Sequence, residues 1–266
     1  MNTKDDALPR RRSRTLRISM AIIAVLMFAG FFTLGTWQIF RLQWKLALIE
    51  RVERRVHAAA VEAPRAPEWP QVSAETQEYR HVRLHGVYLP ALSTRVLAST
   101  ERGAGYWLLT PLCTVDGIVM INRGFLPAGE GGWKAEPTPP VANGAGLCAA
   151  AIAAGDAQVT VSGLLRLSEK PGSVLRKNDP ARNFWYSRAL AAIAQARGLP
   201  AVAPFFIDVE ANGEAPAVTG EAQAPVGGMT VISFPNNHLV YAITWFGLAL
   251  MVAGAAFWVV RHERKG

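Results

Sequence analysis

Catalytic signatures are missing from this sequence. It has no G-x-S-x-G, no S-x-x-K, no P-loop and no H-E-x-x-H, and no pair of carboxylates is placed for acid–base work. Acyl transfer, phosphoryl transfer and glycoside hydrolysis lack their parts, so the chain is expected not to be an enzyme. Cysteine is nearly absent too. Cys113 and Cys148 form neither C-x-x-C nor C-x-x-C-H, which leaves thiol exchange and covalent haem attachment without a motif. Whether the two cysteines pair stays open from the spacing alone.

Charge is scarce as well. Charged residues make up 18% of the 266, against roughly a quarter in soluble domains. Two stretches account for the deficit. Ile18 to Phe40 holds no ionisable residue in 23 positions, and Leu239 to Val260 holds only Tyr241 in 22. At about 1.5 Å per residue, either is long enough to cross the roughly 30 Å hydrocarbon core of a bilayer as a helix. A simple cytosolic enzyme and a many-span transporter are both excluded.

Cations are missing from Gly198 through Val260, whereas Arg261, Arg264 and Lys265 follow the second stretch, and Arg10, Arg11, Arg12, Arg14 and Arg17 precede the first. The net charge of +8 therefore reads as topogenic and lipid-facing rather than as a nucleic-acid surface. The expected organisation is a basic cytoplasmic N-terminus (1–17), a first transmembrane helix (18–40), a periplasmic domain (41–237), a second transmembrane helix (238–260) and a cytoplasmic tail (261–266) in the plasma (inner) membrane. Nothing like A-x-A follows the first stretch, so it reads as a retained anchor.

Leu46, Ile49, Val52 and Val56 form one apolar stripe on a helix running to about Ala60, and Pro64, Pro67 and Pro70 then break it. Strands are expected at Tyr79–Val87, Arg95–Ser99, Tyr106–Thr114, Ile118–Phe125, Val159–Leu167 and Phe205–Val209, with Tyr106–Thr114 and Ile118–Phe125 joined as a hairpin through Val115-Asp116-Gly117, where Asp-Gly is the turn signal. One helix is expected to be capped by Ser187, to bury Leu190, Ile193 and Ala194, and to end at Gly198. Ala128–Gln158 and Ala211–Gly228, rich in Ala, Gly and Pro, read as loops with too little apolar pattern to pack. The fold class is a β-rich α+β domain between two membrane helices.

His81 and His85 would share a helix face, but on a strand they lie about 13 Å apart and read as solvent-facing. His238, Tyr241, Ala242 and Trp245 share a helical face at the head of the second span. That pattern fits either an axial haem ligand beside aromatic rings or an interfacial anchor. Ala249, Ala253 and Gly254 offer small surfaces to Gly30 and Gly35 of the first span.

Leu34-Gly35-Thr36-Trp37-Gln38 with Arg41 and Trp44-Lys45 resembles the junction after the first span of the surfeit-locus-one assembly factors. Four more matches follow in order: Tyr79-Arg80 to Gly86-Val87-Tyr88; Pro111-Leu112 through Asp116-Gly117 to Asn122-Arg123-Gly124-Phe125-Leu126-Pro127; Pro204-Phe205-Phe206-Ile207-Asp208; and Asn236-Asn237-His238 through Phe246. The resemblance implies a protein that helps supply haem a to the catalytic subunit of cytochrome c oxidase, with that subunit, haem a synthase and the lipid bilayer as partners. It implies His238 as the haem a axial ligand, with Tyr241 and Trp245 beside it. Trp37, Gln38, Arg41, Asn122, Arg123 and Gly124 come over as motif residues without a role. Packing on the second span is expected of Trp37-Gln38, backbone conformation of Gly124 and an ion pair of Arg123. The stretches 128–158 and 211–228 fall outside the family pattern and read as peripheral. A scaffold that binds no cofactor and stabilises the nascent subunit by helix packing is the rival reading.

Overall fold

The computed structural model describes residues 14–128, 146–153, 158–172, 176–211, 224–230, 232 and 234–264. The chain divides into two compact units, one of Met1–Glu50 with Ser233–Gly266 and one of Arg51–Ile232.

The first unit is a pair of helices, α1 (Arg14–Val56) and α4 (His238–Glu263). The apolar stretch and the amphipathic stripe after it form one uninterrupted helix, which stops at Val56, short of Ala60. Both helices are long and apolar enough to cross a membrane. They run antiparallel. Arg17 pairs with Glu263 at 3.7 Å at one end, and Gln38 meets His238 at the other. Between these contacts Phe31 stacks on Trp245, and Phe32 meets Phe246 edge-on. Ile22, Ile23, Leu26, Val240, Ile243 and Leu250 are exposed, an outward surface suited to lipid rather than water. Ala242 and Ala249 are buried on the seam. A Cβ on Gly35 would lie 2.8 Å from the Phe246 ring, so only glycine allows that approach. The expected role of Gly30 and Gly254 is not met, because both face open space, and Ala253 is exposed.

The second unit is built on seven strands: β1 (Val61–Glu62), β2 (His81–Tyr88), β3 (Thr94–Thr100), β4 (Gly103–Thr114), β5 (Gly117–Pro127), β6 (Val159–Leu167) and β7 (Val202–Val209). Their order is β1-β2-β6-β7-β5-β4-β3, and β2 also pairs with β4 through Val87–Cys113 and Tyr88–Leu112. That extra pairing closes β2, β6, β7, β5 and β4 into a ring, with β1 and β3 added outside it. The β5–β7 and β1–β2 pairs are parallel and the rest antiparallel.

Alternation along these strands sorts two cores. Val82, Leu84, Val119, Ile121, Val161, Leu165, Phe205 and Ile207 form one cluster, drawn from β2, β5, β6 and β7. Trp69, from a 3-10 turn over Ala66–Gln71, packs edge-on against Phe205. Cys113, Ile118, Met120 and Phe206 point the other way, into a second cluster with α3 (Leu190–Arg197). β4 and β5 are thus buried on both faces, which is why they read as continuous apolar runs. At the β4–β5 turn the loop residues are Val115 and Asp116, two of the three expected, because Thr114 faces Gly117. Gly117 opens β5 at φ +131°.

Three other expectations change. Ser187 does not cap α3; it accepts from Gly172 N and Asn178 Nδ2, and Ser168 Oγ takes the Leu190 N–H at 3.0 Å instead. The stretch 128–158 holds a helix, α2 (Leu147–Ala153), whose Ala151 is buried in the second cluster and whose Cys148 is disulfide-bonded to Cys113. The rest of that stretch, apart from its ends, lies outside the described residues. In 211–228, Val226 pairs with Phe125 through two backbone hydrogen bonds of 2.9 Å, so this end packs on β5; residues 212–223 lie outside the described residues.

Candidate functional site

His238 is the first residue of α4, half-buried, with its backbone N–H 3.4 Å from Asn236 Oδ1. Its ring Nδ1 lies 2.8 Å from Oε1 of Gln38, across the helix pair. Gln38 is only 8% exposed. An amide oxygen can only accept, so this bond puts a proton on Nδ1, and a neutral ring in that state carries its lone pair on Nε2. No described residue occupies Nε2. A neutral imidazole with one nitrogen held by a neighbour and the other open is the arrangement found at metal-ligating histidines. Nε2 of His238 would be the atom to hold a haem iron.

The other expected residues divide. Trp245 lies on the seam, stacked on Phe31 with ring centroids 5.8 Å apart. Tyr241 is 53% exposed and turns away from that seam, so the two aromatics do not line one pocket with His238. The reason is helical phase: positions 238, 242, 245 and 249 face α1, and 241 falls outside that stripe. Gln38 packs on the second helix as expected. Trp37 does not, being 55% exposed. Arg41 lies over the Trp44 ring at 4.1 Å.

The strand motifs meet in the second unit, around Asp208. This carboxylate, buried near the end of β7, accepts from Asn122 Nδ2 at 2.7 Å and Thr230 Oγ1 at 2.9 Å. Arg166 and Arg188 each approach it at 3.4 Å. The Arg166 guanidinium lies over Tyr79, and that of Arg188 over Phe206. Two cations and two neutral donors gather on one buried carboxylate as a structural knot. Gly124 has φ +128°, and a Cβ there would sit 2.2 Å from Val226 O, so the expected backbone role holds. Arg123 is fully buried over the Tyr88 ring at 5.3 Å. Asp208 closes the matched run Pro204-Phe205-Phe206-Ile207-Asp208 but was given no role in the sequence reading, and Arg166 and Arg188 were not singled out at all. The expectation of two solvent-facing histidines holds for His85, which contacts Thr160. It fails for His81, which is half-buried and bonded to Ala58 O and Glu210.

Residues 25–250 match the model of the SURF1 family. Surfeit locus protein 1 of rat is 31% identical over 253 residues, covering 88% of this chain and 72% of the rat protein. The human protein of the same name is 31% identical over 236 residues, covering 82% of this chain and 70% of its own length. A SURF1-like protein of Monosiga brevicollis is 29% identical over 248 residues, covering 88% of this chain and 84% of its own.

Proposed function

The chain belongs to the SURF1 family, and from that premise we propose that it is a cytochrome c oxidase assembly factor, not an enzyme, which holds haem a at His238 for delivery to the catalytic subunit. The observation that carries this reading is the 2.8 Å bond from His238 Nδ1 to Gln38, which leaves Nε2 available for iron. Haem a is the cargo: its iron supplies the redox centre that the oxidase needs, and this chain contributes an axial nitrogen and an orientation. The motif residues gather at the head of the helix pair and around Asp208, and the second group reads as framework. Haem a synthase on the supply side and the oxidase catalytic subunit on the receiving side are the proposed partners.

The proposed setting is the plasma (inner) membrane, with both termini cytoplasmic and the sheet unit outside. Three features support it. Both terminal helices are apolar on their exposed faces. Along α1, the polar contacts at Arg17 and Gln38 lie twenty-one positions apart, about 30 Å of helix and close to a hydrocarbon core. The Cys113–Cys148 disulfide suits an oxidising compartment.

The test is an absorption spectrum of full-length protein purified from cells that also make haem a. Wild type is expected to carry haem, and His238→Ala to lose most of it while keeping its expression and elution volume. Equal haem content in the two proteins would remove His238 as the ligand. The scaffold reading draws on the seam between the helices, which is filled at Gly35, Ala242 and Phe246; it expects colourless wild-type protein.

A further inference from the structure

A cavity of about 420 Å³ opens in the second unit, where the last turns of α1 meet the start of β2. Arg51, Arg54 and Arg55 line it from the helix, and Arg80 and His81 from the strand side, with small apolar walls between them. In sequence the three helix arginines look like an ambiguous flank to the first span. In the fold they converge with a fourth cation that lies twenty-five residues beyond Arg55.

Two of these cations are held by neutral partners. Arg55 donates to the backbone carbonyls of Ala74, Glu75 and Glu78, and Arg80 to the side-chain amide of Gln77. These acceptors are neutral. They fix two guanidiniums in place and leave the positive charge intact. Glu210 pairs with His81 on the cavity wall and Glu78 lies by Arg166 and Arg55; at Arg55 the charges of Arg51 and Arg80 each count for more than that of Glu78. Like charges confined in one concavity raise its potential, and an oxyanion relieves that cost. Guanidinium forks match phosphate oxygens in geometry as well as sign. The volume suits a small molecule or a headgroup.

We propose that this cavity is a binding site for a phosphate-bearing anion, either a soluble phosphate compound or the headgroup of an anionic phospholipid. The proposal is independent of the haem reading. Only its lipid source rests on the reading of α1 as a membrane helix, so failure of that reading leaves the soluble source standing.

The test uses the full chain in neutral detergent at low ionic strength. Inorganic pyrophosphate is titrated by calorimetry, and native mass spectrometry compares retention of phosphatidylglycerol with that of phosphatidylcholine. Wild type is expected to bind pyrophosphate, or to retain phosphatidylglycerol over phosphatidylcholine, or both. Arg51 is exposed on the helix, so Arg51→Gln is expected to fold normally and to weaken binding at least tenfold. Arg51→Gln with Arg80→Gln is expected to abolish it. Arg83→Gln, whose guanidinium is paired with Glu62 on β1, is expected to bind as wild type does. Binding of pyrophosphate alone identifies a soluble source, selective retention of the anionic lipid alone a headgroup, and both a shared phosphate pocket. The proposal is overturned if neither anion binds selectively, or if both Arg51→Gln and the double variant bind as tightly as wild type.

Discussion

Gln38 changes what an imidazole at the head of α4 can do. Without an acceptor at Nδ1 the proton would divide between the two ring nitrogens, and the fraction of molecules with a ligating Nε2 would fall. Outer-shell partners of this kind are worth roughly 10–100-fold in metal affinity. Gln38→Leu is therefore expected to weaken haem binding by about tenfold, with a shifted absorption band, in a haem titration of the detergent-solubilised protein. Gln38→Glu, which keeps an acceptor, is expected to retain more of the affinity than Gln38→Leu; a loss equal to that of Gln38→Leu would make the residue a packing element only. The histidine was singled out in the sequence as the start of an aromatic helical face, and its ligand role came only from the family resemblance. Gln38 was expected to pack on the second span, but its bond to this ring was not foreseen, because the two lie two hundred positions apart and no local period links them. Tyr241 shows the converse: a three-residue offset puts it near the right face, and the direction of helix packing then decides against it.

Among the elements, α3 is tied down by residues outside it. Ser168 and Glu169, just beyond β6, take the Leu190 and Arg188 N–H groups, a cap supplied from another strand that no local pattern announces. Burial is the largest single influence on Glu169 and pushes its carboxyl upward. The Arg188 charge, the side-chain and backbone hydrogen bonds from Arg188, and the Arg166 charge together outweigh it and hold the group below its ordinary 4.5. A carboxyl depressed in the folded state stabilises the fold above its unfolded value and loses that contribution as pH falls through the folded one. Thermal unfolding between pH 7 and pH 3 should show this on the acid side: below about pH 4.5, Glu169→Gln is expected to lose stability less steeply than wild type. Parallel slopes would show that the pair contributes nothing to the acid response. The strands were the most legible elements, because β-branched and aromatic runs broken by Gly and Pro mark them whatever lies on their two faces. Closure of the ring was not, since it depends on one strand pairing with two others far apart in the chain.

At the scale of the whole molecule, the Cys113–Cys148 bond joins β4 to α2 across 35 residues. Chain-entropy arguments give such a loop about 4 kcal/mol of stabilisation. The Cys113→Ala/Cys148→Ala double variant is expected to unfold at a markedly lower temperature, and reductant is expected to bring wild type down to the same value. A midpoint unmoved by either treatment would mean that α2 is held by packing alone. Spacing could not reveal this link, because what pairs two cysteines is the distance their backbones reach after folding.

The ring also orders events during synthesis. β7 lies between β6 and β5, so the circle stays broken until its last strand has left the ribosome, with fewer than thirty residues to go before α4 begins. Until then β5 and β6 each carry an unsatisfied margin. Completion of the sheet and arrival of the second helix thus fall almost together during synthesis.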